Sequence, residues 1–236
     1  MTDRPLRLAV LTPSLTGQVH IEHGEAIADL RVQCLKRGIA FRRFYNKGSS
    51  VLCKNRNALT QCAVDFGADW VLWVDDDIAF KAEDVFRLIA HDKDIIAGAA
   101  QKRTHKWGEP GAMMFDGELK RGPDGLIKAN RVGTGFLLVR GSVFTDLAAS
   151  GLAPEYKTRD GAHGDLTMRK WFWFDVDAEG YDVGEDYYFC NQAKKLDYEC
   201  WCDPDVRLSH FEGLVEHTLS LADIMQAMEM ADGNAG

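Results

Sequence analysis

No stretch of this 236-residue chain is long and apolar enough to span a bilayer, and Met1-Thr2-Asp3-Arg4-Pro5 leads straight into a strand-like run, so no secretory leader is expected. An excess of positive charge is missing too. With 28 Lys and Arg against 36 Asp and Glu the formal charge is −8, so bulk electrostatics do not hold the chain on nucleic acid, though a local basic groove is compatible with it. The one dense basic run, Lys102-Arg103-Thr104-His105-Lys106, reads as a solvated loop or as a phosphate-binding one. There is no short disulfide framework: Cys34, Cys53, Cys62, Cys190, Cys200 and Cys202 are scattered, so reduced thiols in a cytoplasmic protein are expected. Cys200-x-Cys202 lacks a second pair and reads as strand packing rather than half a metal site. Internal repeats and low-complexity linkers are absent.

What is present suits one large α/β domain. Apolar runs predict strands over 6–11, 39–45, the segment entering Asp75, and 95–99, alternating with helices over 24–37, 52–66 and 82–91. This βα alternation implies a mainly parallel central sheet flanked by helices, with a nucleotide-binding first half (about 1–100). Beyond residue 100 the pattern loosens. A short strand over 112–115, a strand over 132–139, a helix capped by Ser142 to about 149, and a long irregular excursion over 152–181 are expected. A helix over 183–195, strands over 198–202 and 206–209, and an amphipathic helix over about 219–230 complete the chain, with a frayed tail.

The most informative segment is Val71-Leu72-Trp73-Val74-Asp75-Asp76-Asp77, a buried strand running into three carboxylates. Adjacent carboxylates repel one another and lose hydration, and a shared cation relieves both costs. Hard oxygen ligands at a strand tip suit Mg²⁺ or Mn²⁺, although a solvated acidic turn gives the same letters. Further on, Gly133-Thr134-Gly135-Phe136 precedes a buried strand, Gly184-Glu185-Asp186 opens a helix where the dipole favours carboxylates, and His210 follows a late strand.

Taken in order, Val-Asp-Asp-Asp, Gly-Thr-Gly-Phe, Gly-Glu-Asp-Tyr-Tyr-Phe-Cys and Asp-Pro-Asp-Val-Arg-Leu-Ser-His resemble the GT-A glycosyltransferases, especially small family-2-like members of phage and bacteria. The resemblance implies a Rossmann-like nucleotide-binding GT-A fold, with an acceptor and catalytic half over about 101–215. It implies that Asp75, Asp77 and His210 hold a divalent ion, that Asp75 also reaches the ribose, and that Asp76 touches the sugar. Thr12, Pro13 and Ser14 would line the nucleobase pocket, Arg56 and Asn57 would approach the nucleotide or its diphosphate, and Gly133 and Gly135 would let backbone approach the donor sugar. Asp186 would be the general base with Glu185 supporting it, or the two exchanged.

The resemblance implies an inverting transferase using Mn²⁺ or Mg²⁺ and a nucleotide-sugar, most often a UDP-sugar in such families. The acceptor would be a glycan or a modified DNA base, with no membrane involvement. Two other readings stay open. A sugar nucleotidyltransferase would want a basic Gly-rich loop after the first strand, which Thr12-Pro13-Ser14-Leu15-Thr16-Gly17 does not supply. A non-catalytic nucleotide- or carbohydrate-binding module would need no carboxylate pair beside its metal set. Trp171-Phe172-Trp173-Phe174 reads as an acceptor-side lid or as the anchor of a long loop.

Overall fold

The computed structural model describes residues 4–47, 50–100, 115–160, 164–212 and 215–233. The basic run at 102–106 and residues 112–114 of the expected strand lie outside them.

The first half follows the hydrophobic pattern closely. Strand β1 (Arg7–Ser14) is buried at seven consecutive positions, as a strand covered on both faces must be, and is followed by α1 (Ile21–Lys36) and the edge strand β2 (Ala40–Lys47). Helix α2 (Leu52–Phe66) ends where Gly67 adopts a left-handed φ of 66°, leading into the fully buried β3 (Trp70–Val74). After β4 (Ile78–Ala79) come α3 (Ala82–Ala90) and β5 (Ile95–Ala97).

The second half completes the same sheet instead of building a separate layer. Short strands β6 (Phe115–Asp116), β7 (Ile127–Ala129) and β8 (Arg131–Val132) precede β9 (Phe136–Arg140), which runs directly into α4 (Gly141–Ala149). A hairpin of β10 (Glu155–Asp160) and β11 (Gly164–Arg169) and a small one of β12 (Asp175–Val176) and β13 (Asp182–Val183) lead to α5 (Glu185–Lys194). The chain then forms β14 (Cys200–Cys202), β15 (Leu208–Glu212), β16 (Val215–Leu219) and α6 (Leu221–Gly233).

The central sheet has the order β2-β1-β3-β9-β5-β14-β7. Five of these seven strands point the same way; β9 is inserted antiparallel between β3 and β5, and β7 is an antiparallel edge. Apolar clusters fill both faces, Leu11, Trp73 and Val139 packing on the α2, α4 and α5 side and Val10, Leu72 and Leu138 on the α1 and α3 side. A separate three-stranded sheet, β16-β15-β4, abuts the end of β3.

Four expectations differ from the structure. The strand over 132–139 is broken at 133–135, where the Gly135 carbonyl turns to accept a hydrogen bond from the Asp75 amide at 3.1 Å. Ser142 does not cap α4, because the helix starts at Gly141, with Arg140 in the cap position and no side-chain cap. Gly141 is required there: a Cβ would lie 1.9 Å from the Ala68 carbonyl oxygen. The excursion over 152–181 contains two hairpins whose outward positions are charged, which blurred the alternation. The last helix starts later than expected because β16 occupies 215–219. A reciprocal cap then sets its start, with the Ser220 amide donating to Asp223 Oδ2 at 2.8 Å and the Asp223 amide donating to Ser220 Oγ at 3.2 Å.

All six cysteines are free thiols, with Cys200 and Cys202 buried in the sheet. Among the described residues no helix is long and apolar enough to cross a membrane.

Candidate functional site

The carboxyl ends of β1 and β3, the first turns of α2 and α5, and the broken entry to β9 meet at one end of the sheet. Parallel strands all deliver their carboxyl ends to the same edge, and the antiparallel β9 brings its amino end there. Asp75, Asp76 and Asp77 follow β3 directly. Their turn is fixed by backbone bonds: the Ile78 amide donates to Asp75 O at 3.2 Å, the His20 amide to Asp76 O at 3.1 Å and the Phe211 amide to Asp77 O at 2.9 Å.

Arg56 organises the carboxylates. Its side chain is 2% exposed, and its Nη2 donates to Asp75 Oδ1 and its Nε to Glu185 Oε1, each at 3.1 Å. The guanidinium lies 5.2 Å from the centroid of the Trp73 ring. Its Nη1 is buried without a hydrogen-bond partner, on a side chain lining a cleft of about 280 Å³ together with Pro13, Ser14, Asn55 and the three aspartates. A buried guanidinium needs anionic partners to offset its lost hydration, and a third anion in the cleft would meet the remaining donor.

Asp186 stands beside this bridge but outside it. Burial, reinforced by the charge of Glu185, pushes its carboxyl up from the ordinary 3.8 to about 6, against the opposing Tyr187 amide bond and the Arg56 charge. The Tyr187 amide donates to Asp186 Oδ1 at 2.8 Å. Glu185 is locked to Arg56, whereas the raised Asp186 carboxyl lies in the range useful to a base working near neutrality. Burial, together with the charges of Asp77 and Asp75, also raises Asp76.

On the far side of the aspartates, the antiparallel pairing of β15 with β4 brings His210 beside the tip of β3. His210 Nε2 lies 3.3 Å from Asp77 Oδ1, both side chains being largely buried. A second cleft of about 740 Å³ opens here; Leu15, His20, Phe211 and Glu216 line it, and it shares Asp76 and Asp77 with the first. A carboxylate oxygen and an imidazole nitrogen facing one another are two donors of the kinds a divalent first-row ion accepts. Among the described residues, however, no three His, Cys, Asp or Glu side chains converge closely enough to enclose one. Asp75 is drawn to Arg56.

Comparison with solved structures bears on the frame. A197 from STIV superposes with a TM-score of 0.55 at 14% identity, over 92% of this chain and 91% of that one. The fold is GT-A-like. Weaker superpositions are found with a glycosyltransferase involved in glycosylation of the major capsid of PBCV-1 (TM-score 0.31, 16% identity, 61% of this chain and 65% of that) and with S. aureus TarS 1-349 (0.41, 12%, 94% and 64%). No protein-family model matches the sequence, and no curated protein sequence matches it significantly.

Within this GT-A-like frame some anticipated residues reach the clefts and others do not. Pro13, Ser14, Arg56, Asp75, Asp76 and Asp77 line the smaller cleft. Thr12 is fully buried beneath it. Ser14 Oγ serves its own loop, donating to Gln18 O and accepting from the Gly17 amide, both at 3.0 Å. Asn57 departs from expectation: it is buried and clamps the Phe172 backbone, donating to its carbonyl at 3.0 Å and accepting from its amide at 2.9 Å. One residue beyond Arg56 on a helix, it points about 100° away from the cleft. Gly133 and Gly135 are buried at the start of β9, where Gly135 holds the Asp75 turn.

Of the aromatic run, Trp171 and Phe172 are core residues packed on Phe144, Trp173 is half-buried, and Phe174 is 57% exposed. The lid reading therefore fits Phe174 alone.

Sequence reasoning missed His23. Its Nδ1–H donates to Ile78 O at 2.9 Å and its Nε2 accepts from Arg43 Nη2 at 3.1 Å, while burial lowers its proton affinity and keeps it neutral. This ring ties α1 and β2 to the turn after the aspartates. A lone histidine in a helical pattern carries no signal of that role.

Proposed function

We propose that the protein is a divalent-metal-dependent glycosyltransferase that moves a sugar from a nucleotide-sugar, a UDP-sugar being the first choice, to an acceptor hydroxyl with inversion. The observation that carries this reading is the Arg56 bridge, which ties Asp75 at the cleft to Glu185, the chain neighbour of Asp186, and so links a donor-side acid to a candidate base.

The nucleotide lies along Pro13 and Ser14 in the smaller cleft, with Arg56 Nη1 offered to an anionic oxygen. Asp77 and His210 would hold the ion, which when bound supplies positive charge for the departing diphosphate. Asp186 takes the proton of the acceptor hydroxyl as its oxygen bonds to the anomeric carbon. The bond from that carbon to the diphosphate oxygen breaks and the diphosphate leaves with the electron pair. Attack from the face opposite the leaving group inverts the configuration. Glu185, held by Arg56, keeps the base oriented. The acceptor is a glycan or a modified DNA base.

The test is a panel of UDP-, GDP-, CDP- and ADP-sugars with Mn²⁺, Mg²⁺ or EDTA, read by release of nucleoside diphosphate and by NMR of any product. Metal-dependent release from one donor, lost in Asp186→Asn, is expected. No release from any donor, and no stabilisation of the fold by any nucleotide with metal, would overturn the reading.

A further inference from the structure

Helix α1 carries apolar residues on two faces. His23, Ala26, Ile27, Leu30 and Cys34 are buried against the core. On the side turned away from the core, Ile21, Ala28, Val32 and Leu35 form a second stripe, about 60° wide at 100° per residue. All four are exposed, Ile21 and Leu35 at 79% and Val32 at 48%. Exposed apolar side chains scattered singly are ordinary, but four in register along one helix, opposite its core face, make a surface for a second helix. Spacing and charge select that helix. Ile21, Ala28 and Leu35 lie seven residues apart, the repeat that keeps a stripe against a neighbouring helix at a shallow crossing. Ala28 is the midpoint. A two-fold axis there sets Ile21 of one copy against Leu35 of the other and brings two small side chains to the crossing, where the helices approach closely. Along the helix all the acids, Glu22, Glu25 and Asp29, precede the bases Arg31 and Lys36. Antiparallel self-pairing therefore sets acidic ends beside basic ones, whereas parallel pairing sets like against like. Glu22 and Lys36 fall on the same flank of the stripe, so the pairing brings the partner's Lys36 beside Glu22.

We propose that α1 is the interface of a homodimer, in which two copies of the chain pack antiparallel about a two-fold axis at Ala28. The proposal is independent of the glycosyltransferase reading. A helix of 16 residues is about 24 Å long. The surface it covers falls below the roughly 1,200–2,000 Å² of a standard interface, so the dimer exchanges with monomer and depends on concentration. The contact also reaches the larger cleft. Ile21 and Glu22 line that cleft, and the pairing brings the partner's Leu35 and the partner's Lys36 to its rim.

The experiment is analytical ultracentrifugation of the full chain over about 1–200 µM. The mass should move from one chain toward two across that range, while Leu35→Glu, a change at an exposed position that should leave Tm unaltered, stays monomeric. Lys36→Glu should weaken association about threefold, and adding Glu22→Lys to it should restore the wild-type value. A second measurement locates the axis. Ala28→Cys in a Cys62→Ser background, which removes the one exposed thiol, should form a covalent dimer as glutathione disulfide oxidises the two thiols. A wild type that is monomeric at every concentration overturns the proposal. So does a dimer that survives Leu35→Glu, which puts the contact elsewhere, or one in which Ala28→Cys does not cross-link, which removes the axis.

Discussion

Replacing Asp186 with Asn tests the electrostatics of the site through stability as well as activity. Burial beside Glu185 raises the Asp186 carboxyl from 3.8 to about 6, a difference corresponding to about 3 kcal/mol between its two protonation states. The native protein holds this proton more tightly than the unfolded chain does. Ionisation therefore removes stability as pH rises from about 4 through about 6, and below about 4 both states are protonated and nothing is lost. Asparagine has the same shape and no charge to desolvate. Asp186→Asn should be more stable than wild type by up to about 3 kcal/mol near pH 8, roughly 2–4 °C in Tm per kcal/mol at this chain length. The difference should close near pH 4. Turnover should fall by about 10²–10⁴-fold, and wild-type kcat/KM should rise with pH through about 6 as the base ionises. Thermal denaturation across pH, beside a donor-release assay, reads both. A variant no more stable than wild type at pH 8 would refute the buried-carboxylate argument, and one with intact turnover would move the base to Glu185.

Three further outcomes follow from contacts already described. Asn57→Ala removes both bonds to the Phe172 backbone and should destabilise by about 1–3 kcal/mol in urea unfolding, while leaving the KM for donor unchanged. Phe174→Ala should raise acceptor KM with little change in Tm, whereas Trp171→Ala, which opens a cavity and frees the Phe144 carbonyl bonded at 3.0 Å, should cost about 3–5 kcal/mol. Gly141→Ala forces a Cβ into the Ala68 carbonyl and should destabilise by about 1–3 kcal/mol or more, visible as a lower Tm with the pH profile unchanged.

Local signals in the chain were strong where burial is continuous or periodic. Helix α2 begins and ends at the expected residues because an apolar stripe is closed by a glycine able to take a left-handed φ. The Asp-Asp-Asp turn stood out because three carboxylates directly follow a buried apolar strand. The charged hairpins of 155–183 and strand β16 were illegible for the opposite reason: short ribbons with exposed faces carry little alternation, and their pairing depends on a partner strand.

The sequence by itself determined the α/β alternation, the acid cluster at a strand tip and the acids opening α5, because each follows from neighbours within a few residues. Only the tertiary structure decided what these groups do to one another. It placed Arg56 between Asp75 and Glu185, which are 110 residues apart in the chain, and so split two adjacent acids into one that is locked in a bridge and one whose proton affinity is raised. It turned Asn57, one residue further along the same helix, into a backbone clamp, and set His217 across a ribbon from His210. Direction, burial and charge at a site are sums over distant neighbours, and no local pattern contains them.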